Sequence, residues 1–222
     1  FPKKWILTIG VTANLSALAY FKYANFALFN WDILTGQIFK PLAIVLPLGI
    51  SFFTFTQIAF LVDAYKGAAR ELDFFRYCLF GVFFPHLIAG PIVHHSEIMT
   101  QFALADSKKW QPNNIHIGIA FFTLGLCKKV IIADTCGPWA NGVFDTNSAV
   151  HFFDAWRGAI AYTMQLYFDF SGYSDMAIGL SMLFNVRLPD NFDAPYRSVN
   201  IVDFWRRWHI TLSRFLRDYL YI

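Results

Sequence analysis

The chain has 222 residues, of which 56% are hydrophobic and 15% are charged, and its mean hydropathy is +0.42. Soluble domains carry about 25% charged residues, so the composition argues against an ordinary soluble domain and predicts a membrane protein; a large soluble core is the alternative. The net charge of +3 is small and spread along the chain, so no nucleic-acid surface is expected.

Two apolar segments near the N-terminus predict membrane-spanning helices, at residues 5–29 and 41–62. A short polar turn should connect them. Pro47 and Gly49 fall in the first half of the second segment and should break or kink it there.

The basic residues of the first loops predict the orientation of these spans. The connection at residues 63–76 is basic, whereas the loop at residues 30–40 contains only one lysine. The basic side chains of that connection are Lys66, Arg70 and Arg76. Cytoplasmic loops carry an excess of lysine and arginine, so this connection and the Lys3–Lys4 end are predicted to face the cytoplasm.

The next apolar run, residues 77–93, is short and contains Pro85, Gly90 and Pro91. These residues oppose a straight spanning helix. Irregular backbone at membrane depth persists only where protein or a cavity covers it, so the run predicts a broken or re-entrant segment packed against other helices.

Polar and apolar stretches alternate in the middle of the chain. Residues 96–114 and 134–150 predict loops, and Lys128 and Lys129 interrupt the short apolar stretch 115–127 between them before residues 130–133. A further span is predicted at residues 152–170.

Gly172 is expected to separate that span from a second apolar helix at residues 176–184. No internal repeat or linker interrupts the sequence, so residues 1–222 predict one domain, incomplete at both ends. Three cysteines without a CxxC spacing are expected to be reduced thiols in the core. They are Cys78, Cys127 and Cys136.

Residues 201–221 predict one amphipathic helix that lies along the membrane interface. Asp203 with Arg207, and Arg214 with Asp218, have the i,i+4 spacing of ion pairs. His209 falls on the apolar side of the seam, where burial should keep its imidazole neutral and able to accept a proton. A structural histidine with a hydrogen-bond partner is the alternative.

A polar strip precedes this helix in an apolar run: Tyr167, Asp169, Ser171, Ser174 and Asp175. A buried carboxylate needs a partner, since an unpaired one at mid-membrane costs at least ~2.5 kcal/mol. Arg206, Arg207 or a histidine could supply it. Hydrogen bonds between helices or a turn at a glycine are the structural alternatives, and each interpretation places the strip inside the bundle.

Other catalytic patterns are absent from the sequence. There is no GxSxG nucleophile elbow, since Met176 stands where the second glycine belongs. His86, His94 and His95 flank a proline-bearing break rather than one helical face, so no metal site is predicted.

Four stretches resemble the membrane-bound O-acyltransferases, in particular the bacterial alginate-type polysaccharide O-acetyltransferases. They are FKYANF at 21–26, LPLGISFFTF at 46–55 running on to VDAY at 62–65, FPHLIAGPIV at 84–93, and the block 165–222. That block contains WRRWHITLS at 205–213. The chain departs from the family where His94–His95 replace a basic residue and His86 replaces a glutamine or threonine.

The resemblance implies an all-α, polytopic bundle in the bacterial inner membrane, in which an acyl group moves from a thioester donor such as acetyl-CoA to a hydroxyl. No bound cofactor or metal is implied. The partners would be membrane lipid, the donor, and a polysaccharide acceptor or extracytoplasmic acetylation proteins. His209 would be catalytic, orienting the acceptor or sharing the base role with a histidine on a later helix beyond residue 222.

The substrate-binding set implied with it combines the strip with the later motif: Tyr167, Asp169, Ser171, Ser174, Asp175, Trp205, Arg206, Arg207, Trp208 and Ser213. Tyr167, Asp169 and Ser171 would line a tunnel between the membrane faces. Arg206 and Arg207 would meet an anionic donor or stabilise the cytoplasmic mouth. D-alanyl transfer to teichoic acid, a transporter or flippase with Asp169 at its translocation site, and a scaffold subunit are the alternative functions.

Overall fold

The computed structural model describes residues 3–36, 39–69, 73–87, 90–104, 109–146 and 149–221. These residues form helices and contain no strand, which confirms the predicted all-α class. The elements in chain order are α1 Lys4–Thr35, α2 Ile50–Lys66, α3 Phe74–Val82, α4 Phe84–Leu87, α5 His95–Ala103, α6 Pro112–Cys127, a π-helical segment Lys128–Ala133, α7 Asp134–Phe144, α8 Phe152–Leu183, a 3-10 turn Pro195–Arg197, α9 Ile201–Arg207 and α10 Ile210–Tyr219.

The predicted break at the start of the second span is confirmed. Residues 39–47 are not helical, and α2 begins after Gly49, which adopts a left-handed conformation with φ of 70°. Asn25 of α1 stabilises the non-helical chain, since its side chain donates to the Leu42 carbonyl at 3.0 Å and accepts from the Leu42 amide at 2.9 Å. The short turn predicted between the two spans is therefore wrong, because α1 continues to Thr35 and the non-helical chain includes residues 39–47.

The segment at residues 77–93 is broken as predicted. Helix α3 ends before Phe83, α4 is one turn long, and residues 91–94 are not helical. Phe80, Phe83 and Val93 pack in the largest buried cluster. A cavity of about 350 Å³ lies where α4 faces α6 and α8. Arg70 of the predicted cytoplasmic connection lies outside the described residues, as do Ile88 and Ala89 within residues 77–93.

The loops predicted at residues 96–114 and 134–150 are largely wrong. Helix α5 begins at His95, and α6, the π segment and α7 run on as one helix from Pro112 to Phe144. Lys128 and Lys129 do not end it because each pairs with a carboxylate of α8: Lys128 Nζ lies 2.5 Å from Asp175 Oδ2 and Lys129 Nζ lies 2.6 Å from Asp169 Oδ1.

The predicted division at Gly172 is also wrong, because α8 is a single helix of 32 residues. Gly172 is instead a point of close packing. A Cβ placed there would lie 2.7 Å from the carbonyl oxygen of Gly125 on α6, and one at Gly125 would lie 2.5 Å from that of Gly172. The missing side chains therefore allow the α6 and α8 backbones to touch.

The single amphipathic helix predicted at residues 201–221 is two helices, α9 and α10, separated at Trp208 and His209. The predicted Asp203–Arg207 pair is confirmed at 2.9 Å. Arg214 does not pair with Asp218 but with Glu97 of α5, through Nη1–Oε1 and Nη2–Oε2 contacts of 2.8 and 3.1 Å.

Within the described residues, one helix is long and apolar enough to cross a membrane by its length and composition, the 33 residues Pro112–Phe144. The cysteines are free, but they do not lie in the core as predicted. Cys127 is exposed, and Cys78 and Cys136 are partly exposed.

Candidate active site

The turn between α9 and α10 positions His209. Its φ of 45° is left-handed, which is uncommon for a residue with a side chain. Two main-chain hydrogen bonds hold the turn against an earlier loop: Ile210 N–H donates to the Asn191 carbonyl at 2.9 Å, and Asp193 N–H donates to the Arg207 carbonyl at 3.0 Å. Tertiary contacts therefore fix the conformation that the local sequence disfavours.

Asn191 connects His209 to three other parts of the fold. Its Oδ1 lies 3.0 Å from His209 Nδ1 and 2.9 Å from the hydroxyl of Thr211, the second residue of α10. Its Nδ2 donates to Ser174 Oγ on α8 at 3.2 Å. The hydroxyl of Thr211 also accepts from the Ile92 amide at 3.0 Å. All four side chains, those of Ser174, Asn191, His209 and Thr211, are buried.

Aromatic rings surround the imidazole. Phe170 of α8 meets it edge to face with ring centroids 4.7 Å apart, and Phe52 of α2 and Phe192 stack with it at 6.4 Å. This burial lowers the pKa of His209 to about 4, so the ring is neutral at about pH 7. The expected neutral, partly desolvated histidine is confirmed, although it lies in a turn rather than inside a helix.

The aromatic environment continues toward α9. Tyr167 contacts Phe192, Tyr196 and Trp208 with ring centroids 5.9, 5.1 and 6.1 Å apart, and Trp208 stacks on Phe204 at 5.6 Å. Two predicted substrate-binding residues, Tyr167 and Trp208, therefore line the same aromatic cluster next to His209.

The polar strip of α8 divides between two faces. Ser174 faces Asn191, and the buried Ser171 hydroxyl has no hydrogen-bond partner in the part of the chain that the structure describes. Asp169 and Asp175 instead face the π segment. The partner predicted for Asp169 among Arg206, Arg207 or a histidine is wrong, since Lys129 fills that position, and the Asp169 side chain is about half exposed rather than inside the bundle.

The motif residues of α9 have different environments. Arg207 is bound by Asp203 and Asp193, at 2.9 and 3.3 Å. Arg206 and Trp205 are exposed. Ser213 of α10 donates to the Trp205 carbonyl at 3.4 Å. Arg206 is therefore the arginine of this motif that is accessible to a ligand.

A second polar cluster, at the end of α2, was not predicted. Tyr219 donates to Asp63 Oδ1 at 2.8 Å, and its hydroxyl lies 2.9 Å from His94 Nδ1. His94 Nε2 lies 3.9 Å from Asp218. His86, another histidine of the broken segment, is buried between Phe80 and Phe83, and no described residue forms a hydrogen bond to its ring nitrogens. Across the described residues, no group of three His, Cys, Asp or Glu side chains could hold a metal ion.

Asn191 and the three phenylalanines that pack on His209, Phe52, Phe170 and Phe192, are site residues that were not predicted from the sequence. Asn191 belongs to the short stretch PDNFDAP, whose prolines and aspartates are typical of a loop. A buried amide in such a stretch leaves no periodic pattern, so the sequence alone carries no signal for it.

Comparison with known proteins identifies the family of the chain. The sequence profile described as the membrane-bound O-acyltransferase family matches residues 3–222. The chain is 46% identical to the peptidoglycan O-acetyltransferase of Helicobacter pylori and covers 47% of that protein with its full length. It is 44% identical to the probable alginate O-acetylase AlgI of Pseudomonas aeruginosa, with 99% of the chain covering 42% of the relative.

A more distant relative is named for the transfer of a different acyl group. The chain is 33% identical to the teichoic acid D-alanyltransferase of Bacillus subtilis, over 79% of the chain and 45% of that protein. The chain thus spans less than half the length of each of these relatives. The profile match over almost all of the chain confirms the resemblance drawn from the sequence, and the chain belongs to the membrane-bound O-acyltransferase family.

Proposed function

We propose that the protein transfers an acyl group, most simply acetyl, from a thioester donor to a hydroxyl of an extracytoplasmic polysaccharide. The observation that carries this proposal is the neutral His209, buried among aromatic rings and bound through Nδ1 to Asn191. Because Nδ1 is occupied, Nε2 is the ring nitrogen available to a substrate. A neutral imidazole with one free nitrogen has the properties of a general base.

The proposed step is direct transfer. The acceptor O–H bond breaks as its proton passes to His209 Nε2, and the oxygen forms a bond to the thioester carbonyl carbon. The C–S bond then breaks, and the departing thiolate takes up the proton to leave as a thiol. A histidine beyond residue 222 would share the base role, as the family resemblance implies.

The acyl group and acceptor are inferred from the relatives. Two that are about 45% identical are named for O-acetylation of peptidoglycan and alginate, which supports acetyl transfer to a polysaccharide. The D-alanyltransferase is 33% identical, which makes D-alanyl transfer the second candidate. Acetyl-CoA is the proposed donor. A transporter or flippase receives less support, since family membership and the proton-accepting geometry of His209 both favour chemistry.

The proposed substrate contacts are assigned from the position and the exposure of each side chain. Tyr167 and Trp208 belong to the aromatic cluster beside His209, and Ser174 bonds to Asn191, the partner of His209. These three residues and the buried Ser171 of α8 are proposed to line the path of the acceptor. Asp169 and Asp175 would act through Lys129 and Lys128, holding the π segment against α8. We assign the anionic donor to Arg206 and Trp205, which are exposed, and leave Arg207 and Ser213 to hold the α9–α10 turn.

The protein is proposed to be a single multi-pass domain of the bacterial inner membrane, with residues 63–76 in the cytoplasm. Family membership, the apolar composition and the apolar helix Pro112–Phe144 support this placement. Membrane lipid and extracytoplasmic acetylation proteins are the partners proposed besides the substrates.

The proposed function predicts the effect of His209→Ala in the full-length protein. Loss of a positioned proton-transfer group should reduce polysaccharide O-acetylation by roughly 10²-fold or more, while the protein still inserts and accumulates. O-acetyl content of the purified polysaccharide measures the effect. The matched control is His151→Ala, which removes an exposed imidazole at the start of α8 and should leave O-acetylation unchanged. Normal O-acetylation by His209→Ala would refute the assignment.

A further inference from the structure

We infer that Asn191 is a positioning residue that holds His209 in one tautomer, with the proton on Nδ1 and the lone pair on Nε2. The inference rests on the proposed function, because it states how His209 would present a proton acceptor to the substrate hydroxyl. It also has a consequence that is independent of activity, since the tautomer of a histidine can be observed directly.

The hydrogen bonds around Asn191 determine which group donates to which. The backbone amide of Ile92 donates to Thr211 Oγ1 at 3.0 Å, and the Thr211 hydroxyl, 2.9 Å from Asn191 Oδ1, is free to give its own proton to that atom. The Thr211 backbone amide approaches the same oxygen at 3.4 Å. An amide NH₂ in place of Oδ1 would bring its protons against that backbone N–H, so the oxygen must occupy this position.

The contact of the amide nitrogen of Asn191 agrees with this placement of its oxygen. Asn191 Nδ2 lies 3.2 Å from Ser174 Oγ, which can accept its proton. With Oδ1 fixed as an acceptor, the 3.0 Å contact to His209 Nδ1 is a hydrogen bond only if Nδ1 carries a proton. In the neutral ring, Nε2 then has the lone pair, and it has no hydrogen-bond partner among the described residues.

Charged side chains do not compete for this role. The rings that pack on His209 are those of Phe52, Phe170 and Phe192. Three charged residues of the adjoining elements have other partners: Asp169 and Asp175 of α8 pair with Lys129 and Lys128, and Arg207 pairs with Asp193 and Asp203. Arg206 of α9 is exposed. A neutral amide, rather than a carboxylate, therefore orients the imidazole, which is consistent with a ring that stays uncharged.

Solid-state NMR of the full-length protein with isotopically labelled histidine tests the inference. The signals of His209 are identified by their loss in His209→Ala. The wild-type ring should show the Nδ1–H tautomer, and Asn191→Ala should shift it toward the Nε2–H tautomer or a mixture. An Nε2–H tautomer in the wild type, or an unchanged Nδ1–H tautomer in Asn191→Ala, would overturn the inference.

The Asn191→Asp variant tests whether the side chain at position 191 acts directly on the His209 ring. An aspartate keeps the acceptor for Nδ1, and the Ser174 hydroxyl can rotate to donate to its second oxygen. The new negative charge favours the imidazolium form, so the pKa of His209 should rise by about 1 unit or more while the Nδ1 proton is retained. An unchanged midpoint would show that the side chain at position 191 does not contact the His209 ring, and it would contradict positioning.

The matched control is Asn200→Ala. Asn200 caps α9 by accepting from the Asp203 amide at 2.8 Å, so its loss weakens the same region without touching the imidazole. The His209 signals should remain as in the wild type. If the tautomer behaves as inferred but His209→Ala acylates normally, the proposed function fails and the positioning stands. If His209→Ala abolishes O-acetylation but the tautomer does not depend on Asn191, the inference about Asn191 fails alone.

Discussion

The sequence predicted the burial and the neutral charge state of His209 but not its backbone conformation. Its position on the apolar side of a charged segment predicted burial and neutrality, and the surrounding rings produce both. Its left-handed backbone could not be predicted, because the apolar arc of residues 201–221 continues through it without interruption. The contacts that hold the turn come from Asn191 and Asp193 in an earlier loop, and tertiary contacts of this kind override local preference.

The ion pairs also differ in whether the sequence could predict them. The Asp203–Arg207 pair lies within one helix turn, so its spacing was sufficient to predict it. The partners of Asp169, Asp175 and Arg214 come from other helices, and spacing could not identify them. Neutralisation of Lys128 and Lys129 by α8 also explains why two lysines do not end the preceding helix.

At the scale of elements, the break before α2 and the broken segment at residues 77–93 were predicted because proline and glycine act through local backbone chemistry. The glycines of α8 behave differently. Gly172 lies inside a continuous helix, and its lack of a side chain allows close packing against α6. A sequence shows that a glycine is present but not whether another backbone approaches it, so the predicted division there was wrong.

This packing predicts that Gly172→Ala destabilises the full-length protein. The added Cβ would lie 2.7 Å from the Gly125 carbonyl oxygen, which is backbone and cannot rotate away. We expect a loss of at least about 1 kcal/mol of stability, as is usual for overpacking, measured as a lower thermal unfolding midpoint in detergent.

The control for that substitution is Gly142→Ala on α7, where a Cβ would meet nothing within 4 Å. Alanine is favoured over glycine inside a helix, so this variant should be at least as stable as the wild type. Equal midpoints for Gly172→Ala and the wild type would show that α6 and α8 do not touch as described.

At the scale of the whole molecule, composition predicted a membrane protein, and membership of the membrane-bound O-acyltransferase family agrees with that prediction. The number of spans and their orientation remain proposals. The chain spans less than half the length of these relatives.

The proposed orientation predicts opposite accessibility of two exposed positions, Ala68 after α2 and Lys40 after α1. In intact cells, an impermeant thiol reagent should label Lys40→Cys and leave Ala68→Cys unmodified in a cysteine-free background, because the basic connection at residues 63–76 faces the cytoplasm. Permeabilised cells provide the control, in which each position should react. Labelling of Ala68→Cys in intact cells would reverse the topology.

Proton transfer by His209 is the central claim, and His209→Gln in the full-length protein tests it most directly. A glutamine amide can accept a hydrogen bond from the acceptor hydroxyl, but it cannot take up the proton. We expect polysaccharide O-acetylation to fall as far as in His209→Ala, by roughly 10²-fold or more, at normal protein accumulation. Retention of O-acetylation within about threefold of the wild type would contradict the claim, since a positioned general base supplies much more than that.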